Sequence, residues 1–315
     1  MIPDPSVAPR KFSESARLMG NSFRFTAVTA HEELAREAME HAIAEVQRIE
    51  RLLTTFSEDS ETAQINAHAG IRPVRVSPEV FQLIARAQRI AALTQGAFDL
   101  SYGSIDKRFW NFDVHMTALP DRDAALASIR LINYRHIMLD ELQHTVFLKE
   151  KGMRIGFGGI GKGYAAFMAA EVMKKMGIGH GVVNAAGDLL AWGHQPDGRP
   201  WTIGVADPDH RHQVFSSFGI SGLAVATSGN YEKYALINGR RYSHTIDPRT
   251  GFPVSGIKSV TVICPNAELA DALTTPIMVM GVSAGLSMVN QMNGIACMIV
   301  DESGQLHTSK NIHLK

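Results

Sequence analysis

Five of the eight residues from Gly156 to Gly163 are glycine, and a helical pattern follows from Tyr164 to Met176 with Gly177 as its stop. That arrangement constrains the chain more than any other segment. Glycine lets backbone approach a ligand or another element closely, and a helix N-terminus presents free N–H groups. The pair makes a ready cradle for phosphate, and Lys162 adds a positive charge. Gly156–Lys162 also fits the start of the nucleotide-binding pattern G-x-x-x-x-G-K-[ST], but Gly163 stands where that loop needs a hydroxyl for Mg²⁺. A plain strand-to-helix turn with a solvated lysine is the bland alternative.

Around this loop, helical and strand patterns mix. Ser22–Val28 alternates as a strand, and His31–Leu53 carries apolar residues at helical spacing. Ser77 caps a helix running to about Leu93. Ile137–Leu148 suggests a hairpin. Gly181–Asn184, Trp201–Ala206, Phe218–Ser221, Ala224–Thr227, Ser259–Cys264 and Cys297–Val300 read as strands. Ala267–Met280 reads as a helix interrupted by Pro276, and Ala284–Met292 as the last helix. The order lacks strict βαβ alternation, so the fold class is α+β, with mixed or antiparallel sheets and packed helices. Residues 1–18, with Pro3, Pro5 and Pro9, read as a flexible arm before one large domain over 19–315.

Composition excludes some functions. Lys+Arg and Asp+Glu both number 31, so no global basic excess is available to displace counterions from nucleic acid. No run of 18 apolar residues marks a membrane span. The N-terminus has no apolar core of a secretory signal, so the sequence as written reads as cytoplasmic. Cys264 and Cys297 sit in apolar runs and read as small core residues.

Three further clusters carry chemistry. Asp271, Thr274 and Thr275 share one face of an otherwise apolar helix, and such hard oxygen donors suit Mg²⁺. The alternative is an exposed carboxylate with threonines bonded back to their own helix. Ser228-Gly229-Asn230-Tyr231 and Ser243–Gly251 form two dense polar turns, the second containing His244, Thr245 and Asp247. They read as a binding rim or as turn structure alone. Gly96-Ala97-Phe98-Asp99 precedes an aromatic run that includes Tyr102, Phe109, Trp110 and Phe112, where a planar ring could stack.

Taken in order, these segments resemble the FAD:protein FMN transferase (ApbE-type) family. The resemblance runs from Met19-Gly20-Asn21-Ser22 through Phe56–Glu61 with Asn66, Gly96–Asp99, Gly158–Tyr164 and Asn184–Asp188. It continues through Thr227–Tyr231 and His244–Gly251 to Asp271–Thr275. It implies an ApbE-like (T-fold-like) domain and an Mg²⁺-dependent enzyme. Such an enzyme joins the FMN half of FAD to a threonine or serine hydroxyl of an acceptor flavoprotein, and AMP leaves. Family acceptors include subunits of redox-driven ion pumps. The resemblance places flavin contacts at Met19, Phe56, Ala97, Phe98, Asp99, Lys162 and Thr245. It places metal ligands at Ala165 through its carbonyl, Asp271 and Thr275, with Thr274 nearby. Suitability as a base marks His244, with Asp247 as rival. Phe56 stands where many members have Tyr, and Phe167 where many have Asp. Members are usually periplasmic or lipoproteins of the inner membrane. FAD hydrolysis to FMN and AMP, or flavin binding without turnover, are the rival activities.

Overall fold

The computed structural model describes residues 8–106, 118–206, 214–230, 234–237, 240–243 and 245–312. In chain order, β1 (Arg10–Leu18) and β2 (Asn21–Thr29) precede α1 (Glu32–Leu53), α2 (Glu61–Ala67), β3 (Val74–Arg75) and α3 (Pro78–Leu93). Next come α4 (Arg122–Ser128), β4 (Ile137–Asp140), β5 (Thr145–Leu148), α5 (Gly161–Lys175), β6 (His180–Ala185) and β7 (Asp188–Trp192). β8 (Trp201–Ala206), β9 (Val214–Ile220), β10 (Leu223–Gly229), β11 (Tyr234–Ile237) and β12 (Arg240–Ser243) follow. The chain closes with β13 (Ile257–Cys264), α6 (Ala267–Met280), α7 (Val282–Val289), β14 (Ala296–Asp301) and β15 (Leu306–Thr308).

Eight strands form the central sheet in the order β1-β2-β6-β7-β10-β13-β14-β15, with every neighbouring pair antiparallel. The α+β expectation holds. Strand alternation assigns the two faces. Phe23, Phe25 and Ala27 of β2, and Leu190 and Trp192 of β7, join the cluster that contains α1, α5 and α6. Val28, Leu189 and Ala191, on the opposite face, join Trp201 and Ile220 of the β8–β9 hairpin. Covering on both faces explains why all five residues of β7 are buried. Asp188 shares the parity of Leu190 and Trp192, so the pleat turns its carboxylate toward the helices.

α1 buries Ala35, Ala38, Met39, Ala42, Val46, Ile49 and Leu53, the i, i+3/i+4 stripe that its sequence shows. α5 has no single apolar stripe. It lies between α1, α6 and the sheet, so Gly163, Ala165, Ala166, Ala169 and Ala170 are all buried, and their small size permits close helix approach.

Three expectations need correction. Residues 10–18 are not a flexible arm: they pair along their length with β2, and Phe12 and Ala16 pack against the main core. α5 starts at Gly161, three residues before the expected Tyr164, because Ile160 already supplies the first helical carbonyl to Tyr164 N–H at 3.0 Å. α6 runs through Pro276 without interruption. Burial of Ala272, Leu273, Pro276, Ile277 and Met278 outweighs a proline penalty of about 3 kcal/mol.

Candidate active site

A cavity of about 630 Å³ opens where four segments meet: the end of α1, the loop after α3, the glycine loop before α5, and residues 245–248 beside α6. Phe56, Ala97, Phe98, Asp99, Thr245 and Thr275 line it, so six of the residues expected at the site converge from distant parts of the chain. Each wall has a local cause. Asn66 of α2 accepts from Ile155 N–H at 2.7 Å and donates to Ile155 carbonyl at 3.0 Å, pinning the strand-like approach to the glycine loop. Asp99 caps the short turn that follows it: one oxygen accepts from Ser101 N–H (2.8 Å) and Ser101 Oγ (2.6 Å), the other from Tyr134 N–H (2.7 Å). Burial nevertheless holds the Asp99 carboxyl above its ordinary value, with those bonds opposing the shift. Tyr102, also on the wall, accepts Ile246 N–H at 3.2 Å and ties the far rim to the floor; burial lifts its phenol to about 12.

Phe56 is 94% exposed at the mouth. An uncovered aromatic ring beside a cavity offers a stacking surface.

Behind the cavity lies a compact polar centre. Asp271 of α6 accepts the N–H of Gly163 at 2.8 Å, and Lys162 forms an ion pair with Asp188 of β7. Asp188 also accepts Thr227 N–H at 3.3 Å. Both carboxylates are almost fully buried. Burial, and then the nearby charge of Asp188, raise the Asp271 carboxyl to about 7, against the pull of Lys162 and the Gly163 N–H. Burial likewise raises Asp188, with the attraction of Lys162 opposing it. Two carboxylates share one ammonium here, so an additional cation is electrostatically favoured.

Thr275, one turn after Asp271, reaches the cavity beside the glycine loop: a Cβ built on Gly159 would lie 3.9 Å from its Oγ1. Thr274 turns away. Its hydroxyl bonds back to the Asp271 carbonyl and to Ser228 Oγ, both at 2.8 Å. Ala165 is fully buried inside α5 and is not on the cavity wall; Gly159 is the loop residue brought to Thr275. Met19, in the left-handed region at φ 51°, is held by Asn21, whose Nδ2 donates to its carbonyl at 2.8 Å. Its methyl lies against Gly161 of the loop rather than on the cavity wall. Asp247 is clamped by Arg249 through its backbone N–H and guanidinium at 2.8–2.9 Å, the turn reading of that segment. His244, and the aromatic residues at 109, 110 and 112, lie outside the described residues.

The role of Gly163 differs from that of Gly158 and Gly159 on the cavity wall. It does not open space for a ligand. A Cβ there would collide with the carbonyl oxygen of Ala267 and lie 2.6 Å from Asp271 Cβ, so Gly163 sets how closely α5 and α6 cross. At Gly158, on the cavity wall, a Cβ would meet nothing within 4 Å. The nucleotide-loop reading therefore fails twice: no hydroxyl exists at 163, and no room exists for one.

The fold is that of a class of enzymes that transfer flavin, as its likeness to solved structures and curated relatives shows. Over 96% of the chain it superimposes on the ApbE protein of Thermotoga maritima, with a TM-score of 0.87, 30% identity and 97% of that chain covered. The apo flavinyl transferase ApbE of Pseudomonas stutzeri matches with a TM-score of 0.83 at 29% identity, covering 96% of this chain and 95% of that one. A FAD:protein FMN transferase of Klebsiella pneumoniae is 32% identical over 97% of this chain and 94% of its own length. The ApbE family model matches residues 19–299. The chain belongs to the ApbE family.

Proposed function

We propose that the protein is an FAD:protein FMN transferase that moves the FMN moiety of FAD to a threonine or serine hydroxyl of an acceptor flavoprotein, with Mg²⁺ as cofactor and AMP as leaving product. The observation that carries this reading is the meeting of α6 with the glycine loop. Asp271 is bonded to the loop helix, and Thr275 opens onto a cavity large enough for a dinucleotide's flavin end. Named relatives with the same fold support it.

The donor set fits a hard dication. Asp271 supplies a buried carboxylate and Thr275 a hydroxyl, and Gly159 of the loop lies beside Thr275. Among the described residues no three His, Cys, Asp or Glu side chains gather. An ion held here would therefore draw further ligands from phosphate oxygens and water, the habit of Mg²⁺. Bound there, Mg²⁺ would neutralise charge on the pyrophosphate.

The chain's own groups do the rest. Phe56 and Phe98 present aromatic surface to the flavin. The glycine loop lets the backbone come close to phosphate, and Lys162, paired with Asp188 behind the cavity wall, would add positive charge to that end of the site. In the transfer, the acceptor oxygen forms a bond to the phosphorus on the flavin side, and the bond to the bridging oxygen breaks. AMP departs with that oxygen. The hydroxyl proton passes to a base. His244, whose imidazole suits proton transfer near neutral pH, is the candidate base, with Asp247, bound to Arg249, as its rival. Positioning and charge neutralisation supply most of the acceleration in such transfers.

Incubation with FAD and Mg²⁺, with and without an acceptor, tests the reading. Acceptor-dependent AMP release matched by covalent flavin fluorescence on the acceptor is the expected result. AMP with free FMN would assign a hydrolase instead, and absence of AMP would leave a flavin-binding protein.

A further inference from the structure

A chain of charged side chains crosses four helices behind the polar centre. Arg48 of α1 binds Glu79 of α3 through both guanidinium Nη atoms at 2.6 and 2.8 Å, and also binds Glu45 at 2.7 and 2.9 Å. Tyr164 of α5 donates its hydroxyl to the same Glu79 at 2.6 Å. Arg86 of α3 lies over the Tyr164 ring, 5.7 Å from its centre, and binds Glu268 of α6 at 2.7 and 2.9 Å. Tyr164 is 5% exposed and Glu268 6%.

The sequence positions of these groups matter. Tyr164 immediately follows Gly163, whose N–H holds Asp271. Glu268 lies one helical turn before Asp271. α3, which carries Glu79 and Arg86, ends just before the cavity wall at Ala97–Asp99. One cluster thus touches the first turn of α5, the first turn of α6 and the helix leading to the third wall. Buried ion pairs are often no more stabilising than apolar side chains of equal volume. Their directional bonds do fix rotation and register between helices.

We propose that Glu79 and Tyr164 are positioning residues for the metal site: the Tyr164–Glu79 bond sets the rotation of α5 that aims Gly163 N–H at Asp271 and so orients the Asp271 carboxylate. This rests on the Mg²⁺ reading of Asp271 and Thr275. Groups behind metal ligands commonly alter affinity by roughly 10–100-fold when removed.

The test uses the full chain, with Mn²⁺ as the probe, titrated while its free-ion magnetic resonance signal is followed. Tyr164→Phe keeps the ring and loses the donor. Glu79→Ala loses the acceptor. Glu79→Gln restores an acceptor for Tyr164 without its charge. Glu45→Gln disturbs Arg48 alone. The expected result is Mn²⁺ binding weakened about tenfold in Tyr164→Phe and Glu79→Ala and recovered in Glu79→Gln. Glu45→Gln should bind Mn²⁺ as the parent does, whatever its Tm. Wild-type affinity in Tyr164→Phe with only a lower Tm overturns the positioning role. If Glu79→Ala fails to fold, Tyr164→Phe decides alone. A parent protein that binds no Mn²⁺ overturns the metal reading, and this inference with it.

Discussion

Gly163→Ala separates a packing glycine from a ligand-binding one. The new methyl would overlap the Ala267 carbonyl oxygen and stand 2.6 Å from Asp271 Cβ and 2.9 Å from the Ala267 carbonyl carbon. Two of those three atoms are backbone, so no rotamer change relieves the clash; α5 and α6 must move apart. Overpacking of this kind costs about 1–3 kcal/mol, and a rigid neighbour places it near the upper end. Replacing a helical glycine with alanine returns about 1 kcal/mol. The net is a loss of roughly 2 kcal/mol, which for a chain of 315 residues is a fall in Tm of about 3 °C. The same displacement lengthens the Gly163–Asp271 bond, so Mn²⁺ affinity should fall too. Thermal unfolding followed by circular dichroism, paired with Mn²⁺ titration, gives both values. Gly158→Ala is the matched control: its methyl enters open cavity, so Tm should hold while FAD affinity drops. A Gly163→Ala protein as stable as the parent, or more so, would refute the crossing argument, because only helix propensity would then be acting.

Other outcomes follow from the same geometry. Asp271→Asn should abolish Mn²⁺ binding, yet raise the Tm of the metal-free protein at pH 8. The folded carboxyl titrates at about 7, above its unfolded value, so stability falls as pH rises from the ordinary carboxylate range to about 7, and the amide removes that loss; an unchanged or lower Tm at pH 8 counts against it. Glu79 shows the opposite sign. Hydrogen bonds from Arg48 hold its carboxyl below the ordinary value, so its contribution is present above that value and disappears as pH falls through the folded one. Glu79→Gln should accordingly flatten the acid limb of a Tm–pH profile, and a profile of parental steepness would argue against it. Asn66→Ala should cost about 1–3 kcal/mol, since it strands the N–H and carbonyl of fully buried Ile155; urea unfolding would show it, and a loss within error would mean those groups find other partners. Lys162→Met should weaken FAD binding with a reduced salt dependence, measured by fluorescence titration at two ionic strengths, because the proposed phosphate site would lose its cation.

What the sequence disclosed, and what it hid, divides by range. The stripes of α1 and α3 and the alternation of β2 are local, so their elements could be read directly from residue spacing. Residues 10–18 read as an arm because Phe12, Ala16 and Leu18 alternate weakly among charges, and only β2 beside them makes a strand of the segment. The hairpin joining β6 and β7 is likewise a two-residue turn with Ala186 at φ 54° and Gly187 at φ 106°, conformations that suit a right-handed strand twist. That turn fixes the parity of Asp188, and parity alone puts its charge beside Lys162 rather than beneath the β8–β9 hairpin.

The site follows the same division. Asp271 and Thr275 were legible because an apolar helix exposes any polar pair at i and i+4. Thr274, one position earlier, shares their face in the sequence, but the i−3 carbonyl and Ser228 of β10 capture its hydroxyl. Nothing in the spacing of Glu79, 85 residues before Tyr164, announces their bond. Sequence periodicity reports which face of an element is buried, not which partner lies across it. Gly163 shows the consequence most plainly. Within its loop it looks like every other glycine, and only the position of α6, supplied by residues a hundred places later, makes it the one whose missing side chain lets the two helices close around the carboxylate.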